Sequence, residues 1–317
     1  MNITPLAGQQ LAVEHFRNLL FHIQLDGGSF NEMLAFIKSN QNLKYYKALR
    51  EKEPGLLRQL MAREHVLEAK KQKGQQEEAI RMLNQALELD PTCPEACLEM
   101  GNLSELPEKA MMWYQRAMNY TEANIGRERL DELLVEFRKT PWKQVELYTY
   151  LKAKACLAER LFLSGYFDVA ILHFRELLQW NPGDDMEVRQ MLLAAYLTQN
   201  RLKDSANLLR EFKGDWSAAW YFCKAFHRYK LMGDNTASRK SLIRAFQRNL
   251  WVPIFLFGLM DTRKLEEKDT AAAAAPEMVF KVGSKAEALA CIRVIAPVFY
   301  DDAEMVEWAW KILKASV

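Results

Sequence analysis

Apolar and small residues in the second half of this chain follow a helical rhythm that returns in register after 68 residues. Leu157, Ala158 and Leu161 precede Gly165, and Ala170, Phe174, Leu177 and Asn181-Pro182 follow it. Sixty-eight positions later stand Ala225, Phe226 and Tyr229, then Gly233, then Ser238, Leu242, Ala245 and Asn249. In each copy the apolar positions fall three and four apart, the spacing of one helix face. The glycine interrupts that face, so each copy predicts two helices joined by a tight turn. Small residues recur where two helices must cross closely, and large apolar ones where they fill the seam. Tyr196 and Ala206 fall near the halfway points and predict a looser unit between the two copies.

The pattern is also legible earlier. Gly74 ends a helix, and Ala79, Leu83, Ala86 and Pro91 follow it at the offsets seen after Gly165. The next unit supplies Gly101 at a close helix crossing, then Ala110, Tyr114 and Ala117. Its turn around Ser104-Glu-Leu-Pro107 is about three residues short, since Ala117 follows Ala86 by 31 residues instead of 34. Between Asn119 and Gln144 the register breaks, with turns at Asn124-Ile-Gly126 and Thr140-Pro141 around a charged helix from Glu128 to Arg138. Repeats resume at Leu147. After Leu250 the segment Thr262 to Pro276, with five alanines, predicts a loop. Ser284-Lys-Ala-Glu287 has capping-box spacing and opens a helix. An aromatic helix over Val306 to Leu313 closes the chain. The first sixty residues show amphipathic segments without the repeat, the best being Gly8 to Gln24, with Ser29 or Asn31 as the next cap.

A period of 34 residues, half of 68, is that of a tetratricopeptide unit, a helical hairpin that buries its apolar face only by stacking on neighbours. The fold class is therefore all-α, a helical-repeat solenoid of tetratricopeptide type with helical caps. The expected organisation is an N-terminal helical cap over 1–60, two units over 61–118 and an irregular helical insertion over 119–146. Three units over 147–255 and an alanine-rich loop with a C-terminal cap over 256–317 complete it. Composition agrees: 13 Gly and 10 Pro accompany a 50% hydrophobic and 26% charged chain, an ordinary globular balance. Five scattered cysteines exclude a disulfide framework, and Cys156, Cys223 and Cys291 sit in apolar helical stretches as core residues. No secretory leader is visible, and no stretch approaches the roughly 18 apolar residues of a membrane span. A reduced, cytoplasmic setting is expected.

Four stretches in order carry a closer resemblance. They are Cys93-Pro-Glu-Ala-Cys97 leading to Leu103-Ser-Glu-Leu-Pro-Glu-Lys-Ala110, then Leu151 to Ala170, then Asn249-Leu-Trp-Val-Pro253, then Pro276-Glu-Met-Val-Phe-Lys-Val-Gly283. Together they resemble the repeat-containing family typified by the suppressor-of-tumorigenicity-seven protein and its bacterial relatives, over roughly residues 85 to 315. The alanine run lengthens a loop that this family keeps short. The resemblance implies no enzyme activity and transfers no catalytic residue.

Charge is segregated along the chain. Residues 75–136 hold thirteen acids against five bases, a balance of −8, and residues 201–250 hold eleven bases against four acids, a balance of +7. Such asymmetry steers charged partners. In the basic arm Lys224, Arg228, Arg239, Lys240, Arg244 and Arg248 mix with Trp220 and Tyr221, and these eight are the candidate partner-binding residues. An acidic or phosphorylated peptide fits this chemistry. Single-stranded nucleic acid is the less favoured reading, because Phe226 and Tyr229 occupy packing positions of the repeat. Clamping of a peptide's terminal carboxylate is disfavoured by Glu64, Glu68 and Glu99 on the matching faces. The histidines at 15, 22, 65, 173 and 227 form no metal-binding spacing, and no phosphate loop or nucleophile elbow occurs. Asp301, Asp302 and Glu304 read as the start of the last helix. The expected role is a non-enzymatic scaffold, without cofactor or metal, that holds a peptide or helix of a partner protein. The alternatives are a nucleic-acid-binding repeat and a structural subunit of a larger assembly.

Overall fold

The computed structural model of the chain describes residues 54–72, 74–139, 145–260 and 281–316. The readings over residues 1–53, including His15 and His22, and over the alanine run lie outside the described residues. Every regular element among those described is a helix, fourteen in all. The chain is an all-α helical-repeat fold and divides into two compact units, residues 1–156 and 157–317.

In the first unit, α1 (Pro54–Lys71) and α2 (Gln76–Leu89) form one hairpin, and α3 (Pro94–Asn102) and α4 (Pro107–Ile125) form the next. Helix α5 (Arg127–Glu136) follows, and α6 (Val145–Leu163) carries the boundary between the units. Ala62, Val66, Ala79, Leu83, Ala86 and Ala96 make the core at the junction of the two hairpins. The α3–α4 crossing is close because Gly101 lacks a side chain, and a methyl there would overlap the Tyr114 ring. The Tyr114 hydroxyl donates to Asn102 Oδ1 at 3.0 Å on the far side of that crossing. Helix α1 is tied to α3 by Arg63–Glu95 at 3.3 Å and Lys70–Glu99 at 3.2 Å.

The second unit contains α7 (Phe167–Trp180), α8 (Arg189–Thr198), α9 (Leu202–Glu211), α10 (Ala218–Met232) and α11 (Thr236–Arg248). It ends with α12 (Trp251–Leu256), α13 (Lys285–Tyr300) and α14 (Ala303–Ser316). Helix α13 packs against α8, α10 and α12. Its Phe299 ring stacks on Phe226 at 5.7 Å. Trp308 of α14 stacks on Tyr229 at 4.3 Å, and its indole N–H donates to Asp234 at 3.0 Å.

One local rule unites four hairpins. Gly74, Gly165, Asn200 and Gly233 all have positive φ, at 77°, 84°, 52° and 66°, and each sits in the turn between paired helices. Glycine reaches this left-handed region without penalty, and Asn is the side chain that tolerates it best. Five residues after each comes a small buried residue, Ala79, Ala170, Ser205 or Ser238, where the two helices cross. The middle unit therefore uses Ser205 as its small crossing residue, not Ala206, which is only half-buried. Its turn lies 35 residues after Gly165, one more than the 34-residue period, and the crossing residue follows Ala170 by the same 35. Sixteen residues after each glycine the second helix ends at Asp90, Asn181 or Asn249, the first and last in extended backbone.

Candidate interaction surface

The eight candidate residues all lie on the α10–α11 hairpin. Asn235 caps α11 by accepting from the N–H groups of Ala237 and Ser238, and the Ser238 hydroxyl accepts from Asn235 N–H in return. That reciprocal cap fixes where the α11 side chains begin their helical rotation. At the start of α10, Ser217 Oγ accepts from Trp220 N–H at 3.3 Å.

The eight side chains separate into three groups. Trp220 is only 3% exposed, with its ring edge-on to Phe212 at 6.4 Å, so it belongs to the core and offers no contact surface. Arg239 and Arg248 are exposed or half-buried but already engaged. Arg239 grips Asp234 through two hydrogen bonds of 2.5 and 2.7 Å, and that bond raises the guanidinium pKa further. Arg248 donates to the Trp216 carbonyl at 2.6 Å and pairs with Glu287 at 3.0 Å. Tyr221, Lys224 and Arg228 form a row at three- and four-residue spacing on α10, and Lys240 and Arg244 form a shorter row on α11. Among the described residues these four cations have no salt-bridge partner.

The aromatic residues that accompany the bases are mostly internal. Phe222 and Phe226 are fully buried and pack edge-to-face at 6.1 Å. His227 is buried beside them, and its Nδ1 lies 2.8 Å from Ser205 Oγ on α9. Burial, aided by the Arg228 charge, lowers the imidazole pKa and favours the neutral ring. Cys223 and Cys291 are buried thiols whose pKa values burial raises, so neither is a reactive thiolate.

A second constellation, which the sequence pattern did not reveal, runs along the turns between successive hairpins. In the turn before α8, Asp184 stands at φ 53° and accepts from the N–H groups of Val188 and Arg189 at 2.9 and 3.1 Å. Burial pushes its carboxyl up to about 6 despite these donors and the Arg189 guanidinium at 2.8 Å. Arg189 also donates to Asp215 at 2.6 Å, in the turn before α10. Asp215 accepts from Ser217 N–H at 2.7 Å, and the intervening Trp216 carbonyl accepts from Arg248. Beyond Arg248, Glu287 accepts from Gly283 N–H at 2.6 Å, Asn249 Nδ2 at 3.0 Å and Ala218 N–H at 3.3 Å. The capping-box spacing at Ser284 is thus half fulfilled. Ser284 Oγ accepts from Glu287 N–H, while the Glu287 carboxylate turns to these three donors and Arg248. The only legible signals were the Asn, Asp and Gly residues of the turns.

No group of three or more His, Cys, Asp or Glu side chains among the described residues is arranged to hold a metal ion. No helix among them is long and apolar enough to cross a membrane. A family model described as a tetratricopeptide repeat matches residues 66–93, from within α1 through α2 to the residue before α3. No curated protein matches the chain. The chain carries a tetratricopeptide repeat within its all-α repeat fold.

Proposed function

We propose that this protein is a non-enzymatic interaction scaffold. It holds an acidic peptide or helix of a partner protein against Tyr221, Lys224, Arg228, Lys240 and Arg244. The observation that carries this reading is the set of four cations without salt-bridge partners among the described residues, on one hairpin of a chain that contains a tetratricopeptide repeat. Cations with no internal ion pair have none to break on meeting carboxylates, and their charge raises the encounter rate with acidic partners. Burial of Trp220, Phe222 and Phe226, with Trp216 the exposed exception, weighs against the nucleic-acid alternative, which needs several exposed aromatic faces for base stacking. The order of the four segments that resemble the suppressor-of-tumorigenicity-seven family supports membership of that family, and that resemblance brings no catalytic residue with it.

Capture of the tagged full chain from its native cells at low and high salt, with and without nuclease, tests this. Wild type is compared with Lys240→Glu/Arg244→Glu, which spares the paired Arg239. A defined protein partner that binds wild type at low salt and is lost from the double variant is the expected outcome. Material that disappears on nuclease treatment, or a complex indifferent to both salt and the double variant, overturns the reading.

A further inference from the structure

Three large apolar side chains stand out from turns that the Arg248–Glu287 network laces together. Trp216 is 76% exposed, Val282 68% and Leu250 65%. Trp216 lies in the turn before α10, Leu250 in the turn after α11, and Val282 in the turn before α13. Arg248 bonds the Trp216 carbonyl, Asn249 Nδ2 bonds the Ser284 carbonyl at 3.0 Å, and Gly283 N–H bonds Glu287. The three apolar tips therefore emerge from one continuous hydrogen-bonded frame. Exposed apolar groups carried on one frame can act together at a contact surface, whereas single scattered ones need no such account.

The frame holds its tips rigidly. Both neighbours of Trp216 are pinned, Asp215 by Arg189 and Ser217 by the Asp215 carboxylate, while most of the Trp216 surface is open to solvent. Lysines flank the tips. Lys213 and Lys281 are exposed, and the Lys285 ammonium lies over the Trp251 ring at 4.8 Å. The two carboxylates of the frame, Asp215 and Glu287, are spent on Arg189 and Arg248. Exposed acids occur at Glu211 and on the preceding turn at Asp185 and Glu187.

We propose that this edge docks on an anionic lipid surface. Trp216, Leu250 and Val282 enter the interface between headgroups and acyl chains, while Lys213, Lys281 and Lys285 meet the phosphates. Side chains with about two-thirds or more of their surface free are protrusions and do not wall a groove. A liquid apolar layer accommodates separate protrusions without a matching pocket, and a tryptophan ring is suited to the headgroup boundary. Lysines beside such tips add attraction that depends on lipid charge and salt. This edge is separate from the cation rows of α10 and α11 and does not depend on their role.

Co-sedimentation of the full chain with vesicles of phosphatidylcholine, with and without phosphatidylglycerol, tests the assignment. Wild type is expected to bind the phosphatidylglycerol vesicles and to be released by salt. Trp216→Ser/Val282→Ser should weaken binding about tenfold or more, as expected for loss of two buried apolar side chains. Lys213→Glu/Lys281→Glu should remove the preference for anionic lipid. Leu231→Ser, an exposed apolar position at the end of α10, and Lys240→Glu/Arg244→Glu should bind as wild type. Circular dichroism and melting confirm that each variant is folded. Failure of wild type to sediment with the anionic vesicles overturns the assignment, as does equal binding by Trp216→Ser/Val282→Ser. Loss of binding only in Lys240→Glu/Arg244→Glu would move the lipid contact to the hairpin and equally overturn it. A soluble protein held through Trp216, with no vesicle binding, would make the edge a protein interface and reject the lipid reading.

Discussion

Among the described residues, charged side chains in the first unit pair mostly with neighbours on their own helix, whereas in the second several reach between distant elements. Lys71–Glu68, Arg81–Glu78, Arg129–Glu132 and Arg127–Asp131 are three- and four-residue pairs with exposed cations. Arg189–Asp215, Arg248–Glu287 and Lys230–Asp302 join residues 26, 39 and 72 positions apart, and their side chains are mostly removed from solvent. Exposed pairs of the first kind contribute little, typically below about 1 kcal/mol, because water screens them and holding two long side chains costs entropy. Buried pairs of the second kind contribute little net stability over apolar substitutes, but breaking one strands a charge. The same residue types therefore decorate helices in one unit and dictate which turns meet in the other. Arg63–Glu95 and Lys70–Glu99 are the first unit's counterparts to that second role.

The sharpest way to break this contrast is to delete one acid from each class. Glu287→Ala removes the acceptor for Arg248, Asn249, Gly283 and Ala218, and should cost about 3–5 kcal/mol in urea unfolding. Glu78→Ala, which frees only the exposed Arg81, should change stability by less than about 0.5 kcal/mol. A cost below about 1 kcal/mol for Glu287→Ala would show that the network does not hold the second unit together. The first unit has its own point of high cost, and it is steric. Gly101→Ala forces the buried Tyr114 ring away from its place and from Asn102, and should cost about 1–3 kcal/mol by the same measurement. A melting temperature equal to wild type would mean that the α3–α4 crossing opens without penalty. The smallest effect concerns His227. Its folded-state pKa is lowered, so the folded chain resists a proton that the unfolded chain accepts near 6.5. Its stabilising contribution is complete above that pH and is lost as pH falls through and below it. The stability advantage of wild type over His227→Asn should therefore shrink as pH drops below about 6.5, and an advantage that holds constant with pH contradicts the neutral buried ring.

The repeat was legible because its rule is local. Gly74, Gly165 and Gly233 announce left-handed turns, and each is followed at fixed offsets by positions that are buried in the structure. The middle hairpin was harder to place because Asn200 does the work of glycine there, and an asparagine in sequence does not distinguish a turn from a polar surface. The site was less legible than the fold. Nothing about Arg239 or Arg248 in sequence distinguishes an engaged guanidinium from an available one, since the partners Asp234 and Glu287 are chosen by packing. Trp220 misled for a related reason. Helix α10 buries Ala218, Ala219, Trp220, Phe222, Cys223, Ala225, Phe226 and His227, so its apolar face is too broad for one aromatic to mark a boundary. Asp302 shows the opposite case. Its position near a helix start was readable, and its carboxylate does accept from Met305 N–H at 3.0 Å.

The lacing of successive turns through Arg189, Asp215, Arg248 and Glu287 also bears on how the second unit comes apart. In an array held only by contacts between neighbouring repeats, terminal repeats fray first and each can be deleted or exchanged alone. Here the turn before α8 is bonded to the turn before α10, and that turn to Arg248, which reaches the start of α13. Amide protons of α8, α10 and α13 should thus exchange as one cooperative block, and a hairpin excised from this stretch would leave a severed charge at each cut.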